Sequence, residues 1–114
     1  MWTLYGIANC DTVRRARRYL DGVGQDYQFH DFRRDGLSET LLRDWVAEVG
    51  WETLLNRRGL TWRRLPEAAR SDLNQERAAG LMLENPTLIK RPILDTGTQR
   101  IIGFSEDRYA NLSP

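Results

Sequence analysis

The sequence predicts an α/β protein, with a four-stranded mixed sheet and a helical insertion, in a single domain over residues 1–114. Three observations predict it. Two short apolar runs, residues 2–7 and 27–32, flank a helix-like stretch, which is the length and order of a right-handed crossover between parallel strands. The middle of the chain, about residues 37–85, has helical periodicity. The end returns to strands: "PIL" and "RIIGF" flank "DTGTQ", a hairpin signal with Gly97 in the turn.

Each element has a local reason. "WTLYGI" is apolar and aromatic enough for a first strand. Asp11 or Thr12 is placed to cap the next helix, in which Val13, Ala16 and Leu20 share a face, and "DGVG" ends it. "YQFHDF" alternates loosely as a second strand. Ser38 is placed to cap a helix with Leu41, Leu42, Trp45, Val46 and Val49 on one side. "GW" interrupts it, and residues 51–58 predict a further short helix ending at Gly59. Pro66 opens another short segment, residues 74–84 form one more, and Pro86 limits it. Ser105, followed by Glu106 and Asp107, starts a last short helix.

Charge is nearly balanced, with 17 Lys and Arg against 16 Asp and Glu. A nonspecific polyanion binder is therefore not implied. One cysteine forms no internal disulfide, which excludes a secreted disulfide scaffold and favours a reducing cytosol. The opening "MWTLYGIANCDT" has no basic leader followed by a long apolar segment, and no run approaches the roughly 18 apolar residues of a membrane span. The expectation is a cytoplasmic monomer without membrane contact.

Cys10 sits between the first strand and the first helix. One reading is a small, buried, inert hydrophobe. Its position supports another: unpaired amides and the positive end of a helix favour a thiolate, lowering the pKa from the free-thiol value of about 8.5. Arg14, one turn on, adds positive charge, with Arg15, Arg17 and Arg18 behind it, whereas Asp11 opposes the thiolate unless its carboxylate turns to the amides. No metal is expected, because one Cys and one His supply too few ligands. His30, within a predicted strand, reads as an ordinary, partly exposed histidine rather than an activating base. Residue 13 is valine, so there is no CxxC, and a redox cycle needs its second thiol from outside. A small thiol such as glutathione is the economical choice.

Two basic motifs accompany the thiol. In "LIKRPILD", Lys90 and Arg91 precede Pro92, either as solvated surface before an edge strand or as a cation held near the active loop. In "NRRGLTWRR", four arginines within nine positions form either an anion-binding wall or a basic surface around inward-packing Leu60 and Trp62. Arginines interleaved with aromatics also suit stacked bases, but no nucleic-acid module accompanies them, and nucleic acid is not the expected partner.

Taken together, "YGIANCDTVRRARRYL", "LLNRRGLTWRRL", "LIKRPILD" and "GFSEDRY" resemble the arsenate reductase (ArsC) family of thioredoxin-like proteins over almost the whole chain. The resemblance is nearest the bacterial reductase-like subgroup that opens "YGIxNCDT". It implies a thioredoxin-like fold, Cys10 as the nucleophile, Arg91 as an oxyanion-binding arginine and Pro92 as a cis proline. In the family's arsenate reductases the thiolate attacks arsenate, glutathione joins the same sulfur and glutaredoxin resets it. This sequence departs from those enzymes at Asn56 and near Phe104, where they carry arginines, and at Gly6, where they carry histidine. The missing CxxC also separates it from the redox-sensing regulators of the same fold.

The resulting expectation is a glutathione-linked thiol/disulfide oxidoreductase. Amides of residues 9–13, which include Asn9, Asp11 and Thr12, and the Arg91 side chain stabilise charge at Cys10. Arg14, Arg57 or Arg58 attracts the carboxylates of glutathione. No bound cofactor is expected: glutathione is the cosubstrate and glutaredoxin a partner. An arsenate reductase using the same cysteine, and a noncatalytic binding or transcription-regulatory protein, stand as alternatives.

Overall fold

The computed structural model of the chain describes residues 1–112. It comprises two compact units: Met1–Gly36 together with the residues from Arg91 onward, and Leu37–Lys90.

The first unit holds the sheet, made of β1 (Trp2–Gly6), β2 (Tyr27–Asp31), β3 (Ile93–Asp95) and β4 (Arg100–Ile102) in the order β2-β1-β3-β4. β1 and β2 are parallel, with Leu4 beside Phe29; β3 is antiparallel to β1, with Leu4 beside Leu94, and β4 is antiparallel to β3. The mixed four-stranded sheet expected from the sequence is present. Helix α1 (Asp11–Gly22) makes the crossover and buries Val13, Ala16 and Leu20, the predicted face. Ala16 and Leu20 join Leu4, Leu94 and Tyr109 in one core. Tyr109 comes from α8 (Glu106–Ala110), whose cap is Ser105, accepting from the Arg108 amide at 3.2 Å. The hairpin turns at Gly97, whose φ of 95° favours glycine. The Thr96 amide closes that turn on the Gln99 carbonyl at 3.0 Å.

Several boundaries differ from the expectation. The N-cap of α1 is Cys10, not Asp11 or Thr12, and no side chain caps the helix. The Asp11 carboxylate instead accepts from Arg14 at 2.6 Å. The second strand stops at Asp31, because Asp31 caps a short helix α2 (Phe32–Asp35) and Phe32 is buried as its first residue.

The second unit is helical, as the periodicity of the middle segment indicates. Ser38 caps α3 (Glu39–Val49), accepting the Leu41 amide at 3.2 Å. α3 buries Leu42, Trp45 and Val46 and packs on α7 (Gln75–Glu84), which buries Ala78, Ala79 and Met82. Gly50, with φ 87°, breaks the chain into α4 (Trp51–Leu54). That helix is four residues long rather than eight. Leu54 and Leu55 are both buried, and the chain extends at Leu55 to bridge Ile89. The Asn56 amide reaches the Leu88 carbonyl at 2.7 Å, and the Lys90 amide reaches Leu54 at 2.8 Å. Backbone pairing thus replaces the last helical turn. A helix not foreseen, α5 (Leu60–Arg64), follows. Leu60 is 58% exposed, so the inward packing expected of it is wrong; Trp62 is half-buried. α6 (Glu67–Arg70) has Pro66 at its N-cap.

Candidate functional site: a single thiolate at the start of α1

The site begins with the backbone turning out of β1 into α1. Gly6, the last residue of β1, is buried, and a Cβ there would lie 2.8 Å from Cγ2 of Val13. The close fit of Val13 on β1 therefore penalises any side chain at Gly6, since Val13 would have to shift to admit one. Two residues on, the Ala8 amide donates to the Asp31 carboxylate at 3.0 Å. The loop is thus held from the end of β2 before it reaches the thiol.

Cys10 has extended backbone, φ −144° and ψ 124°, and its carbonyl accepts the Arg14 amide at 2.9 Å as the first helical bond. The thiol is half-buried. Burial is the largest single influence on its titration and opposes the thiolate. It is outweighed by the Val13 amide, by the hydrogen bond and charge of Arg91, and by the Thr12 amide, so the thiol titrates below its ordinary value. Two amides left free at the start of a helix and one guanidinium are suited to holding a negative sulfur.

Arg91 is half-buried and is followed by buried Pro92, through a cis peptide bond. The Pro92 carbonyl accepts the Gly103 amide at 2.8 Å, tying this segment to the end of β4. Asn9 and Asp11 stand on either side of the thiol, and both accept from Arg14, each at 2.6 Å. Arg14 is accordingly occupied in bracing the loop.

Cys10, Asn9, Asp11, Thr12, Arg14, Arg91 and Pro92 therefore lie together in the first unit. Arg57 and Arg58 belong to the second. There Arg57 lies over the rings of Trp51 and Trp62, at 5.6 and 5.7 Å, and the Arg58 amide donates to Asn56 at 3.0 Å. His30 binds the Gly36 carbonyl through Nε2 at 2.8 Å. Among the described residues, no three or more His, Cys, Asp or Glu side chains are grouped to hold a metal ion. No helix among them is long and apolar enough to cross a membrane.

Asp31 is the positioning residue that sequence reasoning missed. It is buried, and burial opposes its charge, but the amides of Ala8, Arg33 and Arg34 and the charge of Arg34 hold its carboxyl below the usual range. The signal was an aspartate directly before "FRRD", a capping pattern concealed by reading residues 27–32 as one strand.

Comparison with known proteins agrees with this geometry. The solved structure of a protein named YffB superposes with a TM-score of 0.93 at 46% identity, covering 96% of each chain. An arsenate reductase (ArsC) related protein from Brucella melitensis superposes with a TM-score of 0.79 at 44% identity, over 95% of this chain and 90% of that one. More distantly, the global transcriptional regulator Spx of Streptococcus mutans is 28% identical over the whole of this chain and 84% of its own. The ArsC family matches residues 5–112, and this family and its thioredoxin-like fold point to thiol-based redox chemistry. The chain belongs to the ArsC family.

Proposed function

We propose that the protein is a glutathione-linked thiol/disulfide oxidoreductase that works through Cys10 alone. The observation that carries this reading is a thiol whose titration is lowered by the Val13 amide, Arg91 and the Thr12 amide, in a chain with no second cysteine. A thiolate so placed attacks the glutathione sulfur of a mixed disulfide R–S–S–G. The Cys10–glutathione S–S bond forms, the old S–S bond breaks, and its electron pair leaves on R–S⁻. A glutathione thiolate then attacks the adduct, releasing oxidised glutathione and restoring the Cys10 thiolate. Glutaredoxin is a second possible source of that resolving thiol. The cytosol, where reduced glutathione is abundant, is the compartment this cycle requires.

The test is turnover of a glutathionylated peptide by the protein with reduced glutathione, alongside intact mass after exposure to oxidised glutathione. A single glutathione adduct that is absent in Cys10→Ser, with catalytic deglutathionylation, is the expected result. No adduct at any pH between 6 and 9 would overturn the reading.

A second reading rests on the same pair of residues. The Cys10 thiolate beside the Arg91 guanidinium also suits an attack on arsenate, and the Brucella melitensis relative is described as arsenate reductase related. Arsenate-dependent consumption of glutathione, measured with glutaredoxin present, separates the two.

A further inference from the structure

α1 carries arginines at positions 14, 15, 17 and 18, and they divide into three sets by what they touch. Arg14 is bonded to Asn9 and Asp11. Arg17 lies 4.2 Å over the ring of Phe29. Arg15 and Arg18 face a cleft of about 530 Å3, completed by Tyr19, Phe104, Ser105 and Glu106. That volume lies within the roughly 300–1,000 Å3 typical of small-molecule sites. Both guanidiniums are exposed, and among the described residues neither makes an ion pair or a hydrogen bond. The Glu106 carboxylate is likewise exposed and unengaged among them. The Arg15 guanidinium lies 6.0 Å from the Phe104 ring centre, so aromatic surface adjoins the free charges.

Both walls of the cleft lead back to the thiol. At 1.5 Å of rise per residue, Arg15 and Arg18 lie about 7.5 and about 12 Å along the axis of α1 from Cys10. The opposite wall begins at Phe104, directly after Gly103, whose amide is bonded to the Pro92 carbonyl beside Arg91. The cleft is thus linked to the thiol through α1 on one side and the Pro92–Gly103 bond on the other, and it offers two cations and one anion that make no ion pair among the described residues.

We infer that this cleft seats the glutathionyl group carried by Cys10, with Arg15 and Arg18 taking its two carboxylates and Glu106 its ammonium. The inference rests on the thiol-reductase reading above. The charges match one for one, since glutathione presents two carboxylates and one ammonium, and a charge-assisted pair is about twice as strong as a neutral hydrogen bond. Arg14, assigned to glutathione from sequence, has its own carboxylate partner, whereas Arg15 and Arg18 have none among the described residues.

The test compares two disulfides, oxidised glutathione and neutral hydroxyethyl disulfide, by the rate of adduct formation on Cys10. In Arg15→Gln/Arg18→Gln the rate with oxidised glutathione is expected to fall about tenfold, equivalent to 1.4 kcal/mol. The rate with hydroxyethyl disulfide should stay unchanged. Arg17→Gln, which removes one positive charge from α1 away from the cleft, should alter neither. Equal losses with both disulfides, or no loss with either, would overturn the inference.

A measurement independent of Cys10 reactivity uses Cys10→Ser and S-methylglutathione, followed by amide NMR shifts. Shifts at Arg15, Arg18 and Phe104 that vanish in the background of both glutamine substitutions support the cleft; their absence refutes it. If Cys10 forms no adduct with either disulfide, the reductase reading fails, and the S-methylglutathione titration alone decides the cleft.

Discussion

The Asp31 carboxylate accepts the Ala8 amide at 3.0 Å, joining the end of β2 to the loop that carries the thiol, 23 residues earlier. The same side chain caps α2 through the Arg33 amide at 2.8 Å. One buried carboxylate therefore fixes two backbone segments. Removing it with Asp31→Ala is expected to cost about 1–2 kcal/mol at pH 7, the range of a lost cap and an unsatisfied amide.

The pH dependence of that cost follows from the depressed titration of Asp31. A carboxyl whose folded pKa lies below its unfolded value of about 3.9 adds stability that is complete above 3.9 and is lost as pH falls through the folded value. Asp31→Asn should therefore be less stable than wild type at pH 7, with the gap closing as the solution is acidified below about 4. Urea unfolding of both proteins at pH 7, 5 and 3 reads this directly. A gap that stays constant down to pH 3 contradicts it.

For Cys10 the expected change lies on the alkaline side. Arg91→Met removes a hydrogen bond and a positive charge from the thiolate, so the midpoint of Cys10 alkylation by iodoacetamide should move to higher pH. Reactivity at pH 7 should fall several-fold. The lowered thiol pKa also adds stability that is fully present above the unfolded value of about 8.5 and is lost as pH falls through the folded one. The stability of wild type relative to Cys10→Ser should therefore increase from pH 6 to pH 9. An alkylation midpoint unmoved by Arg91→Met would mean that the amides alone hold the charge.

Gly6 and Val13 make a second coupled pair. A methyl group at Gly6 would lie 2.8 Å from Val13 Cγ2, so Gly6→Ala should cost about 1–3 kcal/mol by overpacking. Val13→Ala removes the obstructing atoms. In the double variant the two losses should fall short of additivity by at least about 0.5 kcal/mol, measurable as a double-mutant cycle in urea. Strict additivity would mean that the backbone, rather than Val13, resists the methyl group.

Tyr109 gives the opposite sign. Its hydroxyl is buried without a hydrogen-bond partner among the described residues, and burial pushes its titration well above the ordinary phenol value. Tyr109→Phe should therefore be neutral or stabilising by up to about 1 kcal/mol, because the hydroxyl makes no bond to lose. A clear drop in melting temperature would show that the hydroxyl has a partner.

Much of the first unit was legible in the sequence, because period and punctuation agree there. Val13, Ala16 and Leu20 mark the buried face of α1, and Gly97 marks the hairpin turn. The thiol's position between strand and helix was legible for the same reason. What was hidden depends on contacts between residues distant in sequence. Asp31 reads as one more residue of a strand until its bond to Ala8 is seen. Arg14 and Arg15 are indistinguishable by type, and only the pairing of Arg14 with Asp11 separates them. In the second unit, residues 55–58 continue a plausible helix, and it is the pairing of Leu55 with Ile89 that draws the chain out straight.

The rings of Phe104 and Tyr109 meet edge to face at 4.8 Å, one facing the arginine-lined cleft and the other sunk in the core. Surface clefts are commonly free to drift, since a change at the rim leaves the interior alone. Here a substitution that reshapes the cleft at Phe104 also disturbs the packing of Tyr109. Variation in what the cleft accepts is therefore filtered by whether the protein still folds. Descendants of this sequence should alter the two aromatic positions together, or alter the exposed Arg15, Arg18 and Glu106 first and leave the rings in place.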